Sequence, residues 1–146
     1  MLGVIFGLLG RAIKCVYKID DNAKNIFNNI GVNFVVQVKI IGIKKTVFFW
    51  LEEGNIKYCK NKKIKADLTL TVISVAMAKQ VFFSKITPEE AFAKNFFIIQ
   101  GDISKAVLLV DLFNLVLSYL YSKNKVKSPV TLQSKRSKFF AKILFV

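Results

Sequence analysis

Hydrophobic and polar positions change period several times along the chain, and each change marks an element. Leu8, Ala12, Cys15 and Val16, then Ala23, Ile26, Phe27 and Ile30, recur at three- and four-residue spacing, which predicts one or two helices over residues 1–30. Asp20 or Asp21 would cap the second helix and Gly31 would end it. The period then drops to two. Phe34, Val36, Val38 and Ile40 alternate with Val35, Gln37, Lys39 and Ile41 until Gly42 breaks the strand. Thr46 to Leu51 is a second β-rich run, Glu53-Gly54-Asn55 a turn, and Ile56 to Cys59 the returning arm of a hairpin.

A basic connection, Lys60 to Lys65, leads to a fourth strand, where Ala66, Leu68, Leu70 and Val72 alternate with Asp67, Thr69 and Thr71. Ser74 to Phe83 reads as a helix with Val75, Met77, Ala78, Val81 and Phe82 on its apolar side. Thr87-Pro88-Glu89-Glu90 combines an N-cap, a proline at the first helical position and acids in the first turn, a specific helix start. Phe96 to Gln100 is a fifth strand, Gly101-Asp102 a turn, and Ile103 to Tyr121 a long helix. From Lys123 a polar linker runs through Pro129 into a basic, aromatic tail. No internal repeat is present.

Charge divides the chain in the same places. All nine acids lie between residues 20 and 111, where 13 cations leave only +4. Residues 1–19 hold three cations and residues 112–146 seven, with no acid in either, so the ends carry +10 of the net +14. A nearly balanced domain with basic ends fits an anionic partner touched by the ends. In KRSKFFAKILFV, read as a helix, Lys135, Lys138 and Lys142 cluster on one side and Phe139, Phe140, Ile143 and Leu144 on the other. Cations over headgroups with aromatics below them are the pattern of an interfacial segment. Lys135, Arg136, Lys138, Phe139, Phe140, Lys142 and Phe145 are therefore the expected membrane contacts, in a tail spanning 123–146. The apolar start, Met1 to Leu9, either anchors similarly or packs on the domain. It has no cationic region before it and no clear cleavage site, which disfavours a signal peptide. The last residues, Leu144-Phe145-Val146, are no peroxisomal address.

The ordered set of segments also carries a family resemblance. Thr46 to Tyr58 (TVFFWLEEGNIKY), Lys65 to Ser74 (KADLTLTVIS) and Ile86 to Phe113 (ITPEEAFAKNFFIIQGDISKAVLLVDLF) together resemble the sterol carrier protein type 2 family. The likeness lies in an aromatic strand that returns through a Gly turn, and in an Ala-Asp start to a strand of alternating Thr and aliphatics. It continues in a Pro-acid-Ala helix whose following strand closes on Gly101-Asp102. It spans roughly residues 32–121. The resemblance implies an α+β domain over residues 1–122, with a five-stranded, mostly antiparallel sheet covered by helices. It also implies an apolar tunnel between sheet and helices for sterols, fatty acyl chains or isoprenoids. A related subset presents polyprenyl intermediates in ubiquinone biosynthesis.

The long helix supports a lipid site on physical grounds. Its polar residues Ser104, Asp111, Asn114 and Ser118 fall within about 80° of one another, and Lys105 lies apart. The rest of the circumference is apolar, whereas a helix lying on a sheet needs a stripe of only about 100°. A lipid, a second helix, a homodimer partner, a partner enzyme or a bilayer would cover the remainder. The expected tunnel residues are Phe48, Trp50, Leu70, Met77, Val81, Phe82, Phe96, Ile98, Val110, Phe113 and Leu117. Phe48 with Trp50, and Phe96 with Ile98, are expected to share the sheet face that looks towards the helices.

Catalysis finds little support. Histidine is absent, which removes the commonest general base and imidazole metal sites, so no cofactor or metal is expected. The acid pairs Asp20-Asp21, Glu52-Glu53 and Glu89-Glu90 are adjacent in sequence and point apart, as caps and turns do. Cys15 and Cys59 are too few and too far apart for a metal knuckle, and suit a reducing compartment. No run reaches the roughly 18 uninterrupted apolar residues of a membrane span, so a cytoplasmic protein peripheral at a membrane is expected. A basic nucleic-acid-binding module is the rival on charge. It would need cations interleaved with exposed aromatics, whereas here the aromatics sit in apolar runs.

Overall fold

The computed structural model describes residues 2–60 and 64–120. Its elements are α1 (Leu2–Ile19), α2 (Asp21–Ile30), β1 (Val36–Ile40), β2 (Thr46–Glu52), β3 (Asn55–Lys60) and β4 (Leu68–Val72). They are followed by α3 (Val75–Phe82), α4 (Pro88–Ala93), β5 (Phe97–Gln100) and α5 (Ile103–Leu120). The five strands form one sheet in the order β3-β2-β1-β4-β5. Every neighbouring pair is antiparallel except β1 with β4. The α+β, mostly antiparallel expectation holds. The expected tail of 123–146, with Lys135, Arg136, Lys138, Phe139, Phe140, Lys142 and Phe145, lies outside the described residues.

Local chemistry places the joints. Glu53 (φ 51°) and Gly54 (φ 74°) are both left-handed, the primed turn whose twist suits a two-residue hairpin. Thr87 accepts the Glu90 amide at 3.1 Å to start α4. Asp20, rather than Asp21, caps α2, accepting from the Asn22 amide at 2.8 Å and the Ala23 amide at 3.4 Å. Its other carboxylate oxygen accepts the Tyr119 hydroxyl from the far end of α5. Asp20 is thus fully buried yet satisfied, and it ties the α1–α2 joint to the end of the last helix. Burial and the bond to Asp20 push the Tyr119 phenol above its ordinary pKa.

Strand alternation sends one face of the sheet inward. Val36, Val38 and Ile40 of β1, Val47, Phe49 and Leu51 of β2, and Leu68, Leu70 and Val72 of β4 are all buried. They pack with Ile13 and Val16 of α1, Phe27 of α2, and Leu109, Leu112 and Val116 of α5 in one core. Phe27 meets Tyr17 and Phe49 edge-on, with ring centroids 5.6 and 6.1 Å apart. α1 approaches β3 closely at Gly10, where a β-carbon would lie 2.5 Å from the Tyr58 ring. The apolar opening segment is therefore a packed helix at least from Leu9 onward.

α5 has the length and apolar content of a membrane-crossing helix, but here it is the core helix. α2 packs along one side of it and α4 along another. Its exposed stripe runs through Ser104, Val107, Asp111, Asn114 and Ser118. Lys105 bonds the Asn29 carbonyl at 2.5 Å and lies 5.8 Å from the Phe34 ring centroid. It pins the end of α2, at the terminus where carbonyl dipoles favour a cation.

Candidate functional site

One face of the C-terminal half of α5 looks into a cavity of about 150 Å³. Phe113, Val116, Leu117 and Leu120 line it, the i, i+3, i+4, i+7 positions of one helix face. The sheet supplies the floor through Val38 of β1, Leu70 and Val72 of β4, and Phe97 of β5. These residues share a face because Val38 pairs with Leu70, and Val72 with Phe97. Leu8, Leu9 and Ala12 of α1 and Ala78, Val81 and Phe82 of α3 close the sides. Two of these wall positions are alanines, each fully buried. At either one a larger side chain would occupy the space that is now empty.

Among the described residues, no polar side chain lines the cavity. A buried water needs two to four polar partners, which these wall side chains do not offer. Among the described residues, no acid, base or nucleophile faces it either. Leu8, 40% exposed, and the partly exposed Phe82 and Leu120 form a rim towards solvent. Two other depressions, one beside Lys14, Trp50 and Lys57 and one between α2 and α5 at Asn22 and Asp111, have polar walls and lie open to solvent.

Of the residues expected at the site, the fold brings together Leu70, Val81, Phe82, Phe113 and Leu117. Phe48, Trp50 and Ile98 stand on the opposite sheet face, contrary to expectation. Phe49, paired with Val36, is the β2 ring that turns inward, and successive strand residues alternate faces. Trp50 there donates its indole N–H to Glu52 at 3.3 Å, and Ile98 is 46% exposed. Phe97 takes the wall position expected of its neighbours. Phe96 precedes β5 and packs with Val81, Ala91 and Leu117 beside the cavity. Val110 is buried one turn before the first lining residue of α5. Met77 packs at the edge of the core without reaching the wall.

The parity of β2 was legible in its ends. Thr46 and Glu52 share the even set with Phe48 and Trp50, and polar ends mark a wetter face. Leu8, Leu9, Ala12, Val38, Val72, Ala78, Phe97, Val116 and Leu120 are wall residues that the sequence reading missed. For Val38 and Val72 the signal was their alternation in phase with Leu70.

The sequence profile of the SCP-2 sterol transfer family matches residues 19–114, about two thirds of the chain. The chain belongs to the SCP-2 sterol transfer family. No curated protein sequence matches it. Solved structures of the SCP-2 fold do. Sterol carrier protein 2 from Yarrowia lipolytica, in its apo form, is 16% identical with a TM-score of 0.54, covering 77% of this chain and 91% of its own. The sterol carrier protein domain 2 of Helicoverpa armigera is 21% identical with a TM-score of 0.53, covering 85% and 94%. A UbiJ-SCP2 ubiquinone synthesis protein is 16% identical with a TM-score of 0.53, covering 79% and 94%. At these identities the likeness is one of SCP-2 fold.

Proposed function

We propose that this SCP-2 family member is a non-enzymatic carrier. It holds the hydrocarbon part of a sterol, fatty acyl or isoprenoid lipid under the C-terminal half of α5, and it docks on anionic membranes. The observation that carries this reading is the cavity wall: among the described residues every side chain that lines it is apolar, with no hydrogen-bonding or reactive group. Binding then scales with buried chain, about 0.8 kcal/mol per methylene, which suits a carrier selecting by length and shape. The rim supports the membrane arm. Leu8 of α1 and Leu120, the last described residue of α5, both touch the cavity, and the two ends of the chain carry most of its net charge. A cytoplasmic protein working at a membrane surface fits this arrangement.

Native mass spectrometry after mild extraction tests the carrier reading. A bound sterol, acyl or isoprenoid lipid supports it and names the class. A ligand-free protein that also takes up no fluorescent fatty acid or sterol overturns it. The fold shared with the ubiquinone synthesis protein favours a second reading, presentation of a polyprenyl intermediate to an enzyme. Isoprenoid as the sole co-purifying lipid would select that reading. Salt-sensitive binding to DNA or RNA without affinity for liposomes would replace both readings with a nucleic-acid role.

A further inference from the structure

The size of the cavity restricts its guest more sharply than its chemistry does. An engineered apolar cavity of about 150 Å³ binds one benzene, so a space of that size takes about six carbons. The cavity here has that volume, about 150 Å³. Its length agrees. On α5 the lining runs from Phe113 to Leu120, about 10 Å at the helical rise of about 1.5 Å per residue. With carbon–carbon bonds of about 1.5 Å, a zigzag chain of about eight carbons spans the same distance. This is room for the end of one chain. The fused rings of a sterol nucleus are too large for it.

The elements around the space are fastened, so its width is set by the fold. α5 is held near both ends, by Lys105 on the Asn29 carbonyl and by Tyr119 on Asp20. The floor strands β1, β4 and β5 are hydrogen-bonded neighbours in one sheet. α1 meets β3 where Gly10 lies against Tyr58, with Ile13 and Val16 in the core. α3 starts on the Ser74 hydroxyl, which accepts the Met77 amide at 3.1 Å.

Resting on the carrier reading, we propose that the site selects the free end of a single chain. About six to eight carbons enter tail first, on the size of the benzene-binding cavity and the length of the α5 lining. The rest of the lipid, and any fused-ring nucleus, stays outside. The remainder leaves at the rim, where Leu8 is 40% exposed and Phe82 and Leu120 are partly so. An acyl or isoprenoid chain is then the natural guest, and a sterol could engage only through its aliphatic side chain. The head end of the lipid remains accessible while its tail is held. Ala78, fully buried on the wall, is a length-determining residue, because each carbon added to its side chain removes a carbon's room from the guest.

Displacement of a bound fluorescent fatty acid by straight-chain alcohols, from pentanol to dodecanol, is the test. Affinity should rise about fourfold per methylene up to about eight carbons, and by less than about 1.5-fold per methylene beyond that break, where added carbons stay outside the burial that drives binding. A steroid alcohol lacking the side chain, although it has more carbons, should displace at least about tenfold more weakly than octanol, since its rings exceed the cavity. In Ala78→Val the break should move down by about one or two carbons, the volume the new methyls take up. A fourfold gain continuing unbroken to dodecanol overturns the proposal and leaves the carrier reading standing. So does a side-chain-free steroid that binds as tightly as octanol, or an unmoved break in a folded Ala78→Val protein. If neither the fluorescent fatty acid nor any alcohol binds, the carrier reading falls and this proposal falls with it.

Discussion

The two flanks of α5 meet the same requirement, covering a very apolar helix, in opposite ways. Towards α2 the packing is closed: Leu109, Leu112 and Tyr119 are fully buried. The Tyr119 hydroxyl ends on Asp20, and Lys105 clasps the last turn of α2. Towards β4, β5 and α3 the same helix presents Phe113, Val116, Leu117 and Leu120 to empty space. The closed flank holds the fold in register. The open flank forgoes part of the available packing, and the missing contacts are what a guest can supply.

The comparison predicts unequal responses to truncation. Leu112→Ala on the closed flank should lower unfolding free energy by about 3–4 kcal/mol, because a filled site has no room to relax. Leu117→Ala, whose side chain borders the cavity on one side, should cost about half that. Equal losses in urea titrations of the two variants would erase the distinction between the flanks. Tyr119→Phe comes next, at about 1–3 kcal/mol, since it strips a donor from a buried carboxylate.

The same bond has a pH signature. The phenol's pKa is raised in the fold, so its contribution is complete below the ordinary tyrosine value of about 10 and is lost as pH climbs through the higher folded value. The melting temperature should therefore fall more steeply above pH 10 for the natural chain than for Tyr119→Phe. In a spectrophotometric titration one phenol should ionise late. The smallest effect belongs to the outer sheet face: Trp50→Ala should leave fluorescent fatty-acid uptake unchanged within about twofold, and a large loss would put the site on the wrong side of the sheet.

Much of this contrast was legible in the chain before any coordinates, and the reasons it was incomplete are physical. The alternation in β1 and β4, the Thr87-Pro88 helix start and the polar stripe of α5 are local patterns, and each appears where its period put it. The TVFFWL run defeated the same logic because aromatics occupy successive positions, so hydrophobicity alone could not choose a face. A one-residue slip then moves a whole strand's side chains across the sheet. The Tyr119–Asp20 bond joins residues 99 positions apart and leaves no local trace. The cavity is harder still, for it owes its space partly to what Ala12 and Ala78 lack. Neither residue stands out in an apolar helix.

That absence can be repaired by one substitution. Ala78 is fully buried on the cavity wall, and Ala78→Phe places a ring where the guest would lie. Titrating the natural chain and this variant with a fluorescent fatty acid or sterol should show saturable uptake by the first. The second should bind at least about tenfold more weakly, with a melting temperature equal or higher because the void is filled. Undiminished uptake by a folded Ala78→Phe protein would contradict the account, since the hydrocarbon would then have to sit elsewhere.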